Sequence, residues 1–182
     1  MPHFDYDSAD RDIIGFLHDV ADAAADTIDE VSNWDFSGER DGQYSADVVV
    51  DDVVVAMLEA AGFDVLSEES GLSSGALPVT GNRLLAVVDP LDGSTNASRG
   101  LPWFATSICV VDRDGLRAAL VAEQSGSETR FAAVRGGARD LVVVGWSDDD
   151  LAAIRAREAT GTDMLLAQEL CDAAAVGDLE AM

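Results

Sequence analysis

An α+β layered fold is what this sequence predicts, and three observations carry the prediction. Two amphipathic helical patterns open the chain, at residues 10–32 and 45–61. Short apolar runs joined by turn chemistry cluster between residues 63 and 134. Two further helical patterns, 147–157 and 162–176, come last. Strands clustered between helices argue for helices layered on an antiparallel sheet and against a regular βαβ alternation.

In the first pattern Ile13, Ile14, Leu17, Val20, Ala21, Ala24, Ile28 and Val31 recur at three- and four-residue steps. Asp19, Asp22, Asp26 and Asp29 fall on the other side. Residues 33–43 form a loop rich in Gly, Ser and charge. The second pattern is apolar at Val49, Val50, Val53, Val54, Met57 and Leu58 and is closed by Gly62. Its β-branched valines suit a strand as well as a helix. Residues 63–66 read as a short strand leading into Ser67-Glu68-Glu69-Ser70, and 71–82 as a Gly/Ser/Pro loop.

The apolar run 84–88 fits a buried strand. It is expected to stop at Asp89-Pro90, because proline has no N–H to give to a ladder. Strands follow at 105–111, 117–123 and 130–134. Asp112-Arg113-Asp114-Gly115 and Ser125-Gly126-Ser127 between them are hairpin turns. One more strand is read at 141–144. Ser147 caps the next helix, with Asp150 three residues on. There is no repeat and no long linker.

Composition narrows the function. The chain has 182 residues, 35 acids against 11 bases, and a formal net charge of −24; every base is arginine. A hydrophobic fraction of 48% and a mean hydropathy of +0.10 exclude a disordered acidic tail. A chain of this length buries roughly 70% of its unfolded surface, enough for one good core or two small ones. The charge opposes phosphate backbones and anionic membranes, so neither nucleic acid nor membrane is an expected partner. No apolar run approaches the ~20 residues of a spanning helix. Asp5, Asp7, Asp10 and Asp12 crowd the N-terminus, which has no apolar stretch and does not read as a signal peptide. Cys109 and Cys171 lack metal-ligand spacing and read as reduced core thiols of a cytoplasmic protein. The lysine-free acidic surface fits a salt-loving host or a GC-rich genome equally.

The segment Asp89-Pro90-Leu91-Asp92-Gly93-Ser94-Thr95-Asn96 stands apart. Two carboxylates three residues apart end a buried strand, and Pro90 fixes the turn between them. With the Leu91 carbonyl they make an all-oxygen set suited to Mg²⁺. The backbone N–H groups after Asp92 then favour an anion. A hard-cation site beside a phosphate-sized anion site points to metal-assisted phosphate-ester chemistry.

These residues resemble the D-P-[LI]-D-G-[ST] signature of the inositol monophosphatase family, which is Mg²⁺-dependent and lithium-sensitive and whose superfamily includes fructose-1,6-bisphosphatases. Four more segments are similar in order and spacing. Tyr44-Ser45-Ala46-Asp47 resembles the family's T-x-A-D, and Ser67-Glu68-Glu69-Ser70 its G-E-E, with Ser67 for glycine. Gly100-Leu101-Pro102-Trp103-Phe104-Ala105-Thr106-Ser107-Ile108 resembles its G-x-P-x-x-A-x-S-I strand. Phe131-Ala132-Ala133-Val134-Arg135-Gly136-Gly137-Ala138 resembles its F-x-A-x-x-G-x-G-A hairpin.

The resemblance implies a sugar-phosphatase fold, with residues 1–140 as a metal- and phosphate-binding domain and 141–182 as a reduced C-terminal segment. It implies that Glu68, Asp89 and the Leu91 carbonyl hold one Mg²⁺, and that Asp89 and Asp92 share a second. Ser94 and Glu68 would orient the attacking water, and Asp47 would hold Ser94. The N–H groups of Gly93, Ser94 and Thr95 would hold the phosphate. The substrate implied is a small phosphorylated polyol or sugar, inositol monophosphate first and fructose-1,6-bisphosphate second. Glu69 reads as structural, Pro102, Trp103 and Phe104 as core and turn, and His3 and His18 as surface residues.

One family motif, W-D-x-A-A-G, has no counterpart; Trp146 is followed by Ser147. Gly161-Thr162 and the stretch 174–182 look like the family segments that precede that motif, and 142–159 is shorter than its family equivalent. The chain is therefore expected to stop before the Asp that completes the second metal site. Asp163, Asp172 and Asp178 are the replacements available. Three readings follow: a truncated or natural short form, an enzyme with one firm metal and a makeshift second, or a non-catalytic metal- and phosphate-binding or scaffold relative. An abbreviated half would also leave an apolar face uncovered, which predicts a homodimer through it.

Overall fold

The computed structural model describes residues 1–73, 77–126 and 129–135. The expected strand at 141–144, the helices at 147–157 and 162–176, Cys171 and the three C-terminal Asp candidates lie outside the described residues. Helix α1 (Asp10–Glu30) and helix α2 (Ser45–Ala60) come first. Strands β1 (Asp64–Ser67), β2 (Gly71–Leu72) and β3 (Leu85–Asp92) follow, then a short helix α3 (Ser94–Ser98). Strands β4 (Ala105–Asp112), β5 (Gly115–Glu123) and β6 (Arg130–Val134) complete the described elements. The fold is α+β, with the two long helices on one face of a six-stranded sheet ordered β2-β1-β3-β4-β5-β6.

The helical periodicity decides α1. Ile13, Leu17, Val20, Ala21, Ala24 and Ile28 are all buried, and so is Phe16, a residue of the same three- and four-residue stripe that the sequence reading leaves out. Phe16 belongs to an aromatic trio with Phe4 and Phe63, ring centroids 5.2 to 6.1 Å apart. In α2 the valines do not prevent a helix, because Val50, Val54 and Leu58 fall on one buried stripe while Val49 stays exposed. Each large side chain buried this way stabilises by roughly 1.5–3 kcal/mol.

The sheet is mixed, which corrects the expectation of a wholly antiparallel one. Strand β1 pairs parallel with β3, and every other neighbouring pair is antiparallel. The chain returns from β2 through the loop and enters β3 in the direction of β1. A second correction concerns Asp89-Pro90: the strand does not stop there but runs on to Asp92. The missing N–H of Pro90 is absorbed by a bulge. Asp89 stands opposite Ser107 and Asp92 opposite Ala105, so three steps on β3 match two on β4.

Along β4, Thr106, Ile108 and Val110 point into the helix-covered core. The alternate residues of β3 to β6 form the opposite sheet face. There Cys109 is half-buried, not a core thiol as expected, and Val121 and Phe131 are 42% and 41% exposed. None of the described helices covers this face.

The N-terminal segment is tied down from β5. Arg117, 7% exposed, donates from Nε to Asp10 at 2.8 Å, and its Nη atoms reach the carbonyls of Tyr6 and Ser8. No helix among the described residues is long and apolar enough to cross a membrane.

Candidate active site

Three segments bring their polar side chains to the C-terminal end of β3. The bulge supplies Asp89 and Asp92, the end of β1 supplies Glu68 and Glu69, and the first turn of α2 supplies Asp47. With Leu91, Gly93 and Ser94 they line one open cleft of about 420 Å³. The loop before α2 adds Arg40, Asp41 and Gln43. Among the described residues, six acids thus share the cleft with a single base.

Local chemistry explains the shape. Gly93 sits at φ +91°, a left-handed conformation that ends the strand and starts α3. A Cβ there would stand 2.7 Å from the Trp103 carbonyl, so glycine is required twice over. The Asn96 amide donates to that same carbonyl at 2.8 Å and pins α3 to the chain that leaves it. Leu91 N–H donates to Asp89 Oδ1 at 3.2 Å. Glu68 N–H donates to the Val88 carbonyl at 2.9 Å, which fixes the end of β1 beside the bulge.

Asp47 is buried. Its Oδ2 accepts the Tyr44 N–H at 2.8 Å, while its Oδ1 is buried without a hydrogen bond. Burial raises its pKa above the ordinary carboxylate range, and the Tyr44 N–H and the Ser94 hydroxyl pull against that rise. Asp89 is pushed up to about 6, first by burial and then by the charge of Asp92. Glu68 is pushed up to about 7, first by sharing a hydrogen bond with Glu69, then by burial and the charges of Glu69 and Asp89. Carboxylates that raise one another this way want a positive charge among them.

Glu69 is held from the loop. Arg40 Nη2 lies 2.7 Å from Glu69 Oε2, and the Gln43 amide donates to the same oxygen. Arg40 Nη1 donates to the Glu68 carbonyl at 3.0 Å, and Nη2 stands 3.7 Å from Glu68 Oε1. Ser67 also has work here: its hydroxyl donates to the buried Asp51 and accepts the Glu69 N–H.

The sequence-predicted residues Asp47, Glu68, Asp89, Leu91, Asp92, Gly93 and Ser94 therefore come together. Thr95 does not; it is exposed and outside the lining of the cleft, because α3 turns it toward solvent. Trp103 is 72% exposed, which corrects its reading as core; its backbone, not its ring, faces Gly93. Arg40, Gln43 and Asp51 carry no local motif, and sequence reasoning missed them.

Among the described residues no group of three or more His, Cys, Asp or Glu side chains is arranged to hold a metal ion as it stands. The donors still fit a hard divalent ion. Asp89, Asp92, Glu68 and the Leu91 carbonyl are all oxygen donors, and Mg²⁺ uses one or two carboxylates and keeps several waters. The orphaned Asp47 oxygen is a further acceptor in the same cleft.

Comparison with known proteins gives the family. Residues 9–164 match the sequence model of the inositol monophosphatase family, and the chain belongs to that family. It is 35% identical over 112 residues to an inositol-1-monophosphatase of Mesorhizobium japonicum, a match covering 59% of this chain and 40% of that one. It is 38% identical over 73 residues to a fructose-1,6-bisphosphatase/inositol-1-monophosphatase of Methanothermobacter thermautotrophicus, covering 37% and 25%. The fold resembles the crystal structure of the extragenic suppressor protein suhB from Bartonella henselae, with TM-score 0.59 and 27% identity over 70% of this chain and 50% of that one. The chain thus spans half or less of the length of these relatives.

Proposed function

We propose that this protein hydrolyses a small phosphate monoester with the help of Mg²⁺, inositol monophosphate being the first substrate to try and fructose-1,6-bisphosphate the second. One observation carries the reading: the β3 bulge gathers Asp89 and Asp92 with Glu68 and Asp47 in a cleft that holds six acids and one base. A phosphate ester is repelled from such a cleft until cations enter it. The names of the relatives favour the same substrate classes.

Residues 1–140 would carry the site. Glu68, Asp89, Asp92 and the Leu91 carbonyl would hold the metal. When bound, Mg²⁺ makes a water acidic enough to attack at neutral pH and screens the charge of the ester. Glu68 Oε1 is the proposed acceptor of the proton from the attacking water. The Ser94 hydroxyl orients that water, and Asp47 Oδ1, which has no hydrogen bond in the structure, is the acceptor open to that hydroxyl. The N–H groups of Gly93 and Ser94, at the start of α3, bind phosphate oxygens, with Thr95 completing the turn. Attack is in line on phosphorus with no covalent enzyme intermediate.

The test is phosphate release from inositol-1-phosphate and from fructose-1,6-bisphosphate, with Mg²⁺ raised from zero to tens of millimolar at low and high KCl. Turnover that follows Mg²⁺ and picks one substrate is expected. Mg²⁺ binding without turnover on either substrate would leave a metal- and phosphate-binding relative instead of an enzyme.

A further inference from the structure

We propose that Thr106 is a positioning residue: its hydroxyl staples the Pro90 carbonyl and so holds the bulge that brings Asp89 and Asp92 together. The inference rests on the proposed metal site only for its effect on metal affinity.

The bulge leaves a backbone problem. Pro90 has no N–H, and the register shift between Asp89 and Asp92 takes its carbonyl out of the regular ladder. Pro90 is buried, so that carbonyl must find a donor inside the protein. Thr106, on the facing strand and 0% exposed, donates to it at 2.8 Å. The other inward residues near it on β4, Ile108 and Val110, are plain hydrophobes, and a valine would fill the Thr106 position equally well. Packing alone does not require the hydroxyl.

The hydroxyl is itself held. The Gln124 amide donates to Thr106 Oγ1 at 2.9 Å and to the Ala21 carbonyl in α1 at 3.0 Å. The backbone N–H of Gln124 donates to the Phe104 carbonyl at 3.0 Å. Both ends of this chain, Ala21 and Pro90, are carbonyls that can only accept. Every proton direction is therefore fixed: Gln124 gives to Ala21 and to Thr106, and Thr106 gives to Pro90. The acid-bearing turn is tied through two side chains to the middle of α1, the longest helix described. A freed Pro90 carbonyl would seek water or another donor, and the turn would sample positions in which Asp89 and Asp92 no longer face one point.

The experiment compares Thr106→Val and Thr106→Ser with Val110→Ala, a control that hollows the same strand and core face away from the turn. Hydrogen–deuterium exchange of the metal-free full chain is read over residues 88–94. Mn²⁺ affinity is read by electron paramagnetic resonance of the free ion. For Thr106→Val, faster exchange confined to the turn and about tenfold weaker Mn²⁺ binding are expected, as when a group supporting a metal ligand is lost. Thr106→Ser keeps both near wild type, and Val110→Ala lowers Tm without moving either. Should Thr106→Val fail to fold, Gln124→Met removes the donor behind the hydroxyl and is expected to give a smaller change of the same kind.

Wild-type exchange at the turn in both Thr106→Val and Gln124→Met overturns the proposal, even where Mn²⁺ binding is normal. A wild type that binds no Mn²⁺ while Thr106→Val loosens the turn would instead sink the metal site and leave the staple standing.

Discussion

Asp10, Asp64 and Asp112 are each met by an arginine: Arg117, Arg83 and Arg135. Asp47, Asp89 and Asp92 have no ion-pair partner among the described residues, and the four carboxylates Asp47, Glu68, Glu69 and Asp89 act on one another's charge. In a chain with 35 acids and 11 bases, cations are scarce. Among the described residues Arg83, Arg117, Arg130 and Arg135 meet acids that tie elements together, while Arg40 is the one base lining the cleft. An acid that holds the fold is neutralised by its own chain. An acid that lines the cleft is left for a cation from solution, at some expense in stability of the metal-free protein.

The sharpest way to break this comparison is Asp89→Asn. Metal-dependent phosphate release is expected to fall at least about a hundredfold, because a primary metal ligand is lost. The same change removes a charge that burial and Asp92 disfavour. A rise from 3.8 to about 6 corresponds to roughly 3 kcal/mol unscreened, and about 1–2 kcal/mol once the partial exposure of Asp89 is allowed for. The metal-free variant should therefore melt above the metal-free wild type. If it melts lower, Asp89 holds the fold like Asp10 or Asp112, and the comparison fails.

Arg117→Met tests the other side. It strips a buried guanidinium from Asp10 and from the carbonyls of Tyr6 and Ser8. Breaking such a pair costs about 3 kcal/mol, toward the low end for buried pairs because Asp10 is partly exposed. Urea unfolding should show that loss, while Mn²⁺ affinity stays within about twofold of wild type. A collapse of Mn²⁺ affinity would mean that the N-terminal clamp and the cleft are one unit.

The two classes of acid differ in how well the sequence exposes them. Asp89, Asp92 and Gly93 are legible because a strand, a proline and a glycine surround them within a few residues. The α1 stripe is legible because a helix repeats its buried side many times over. The continuation of β3 past Pro90 is not legible, since the hydroxyl that satisfies Pro90 belongs to Thr106, sixteen residues on, and the amide behind it to Gln124. Phe16 fits the helical period, three residues after Ile13 and four before Val20, but that Phe4 and Phe63 are what cover it is not in the period. The parallel pairing of β1 with β3 depends on the path of the intervening loop. Arg40 and Gln43 sit in a polar stretch that looks like any solvated loop until Glu69 is seen between them.

The pH dependence of the metal-free protein sharpens the same contrast with a smaller effect. Asp89 and Glu68 have raised folded-state values, about 6 and about 7. For such groups the folded state binds protons more tightly than the unfolded state. Their contribution is fully present below about pH 4 and is lost as pH rises through 6 to 7. Metal-free stability should thus decline from pH 5 to pH 7.5 by roughly 1–2 kcal/mol, the order of the Asp89 term alone. Saturating Mg²⁺ should flatten or reverse the slope, because it binds the ionised form that the empty cleft penalises. Denaturation midpoints across that range, with and without Mg²⁺, give the answer; identical slopes in both would show that the cleft acids do not meet a cation.

Arg40→Gln is the finest test, because Arg40 is the one cation among the described residues that line the cleft. Its guanidinium is half-exposed, bonded to Glu69 and only 3.7 Å from Glu68 Oε1. An exposed pair of this kind is worth at most about 1 kcal/mol, so its removal should change stability little. The same figure caps its competition with an incoming divalent ion at about fivefold in affinity. The expected outcome is Mn²⁺ binding tightened by two- to fivefold at low salt, with the difference fading as KCl screens the site. If Arg40→Gln instead weakens Mn²⁺ binding, the arginine holds Glu68 in place for the metal and does not compete with it. Arg40 would then belong with Arg117 and Arg135 among the cations that shape the protein.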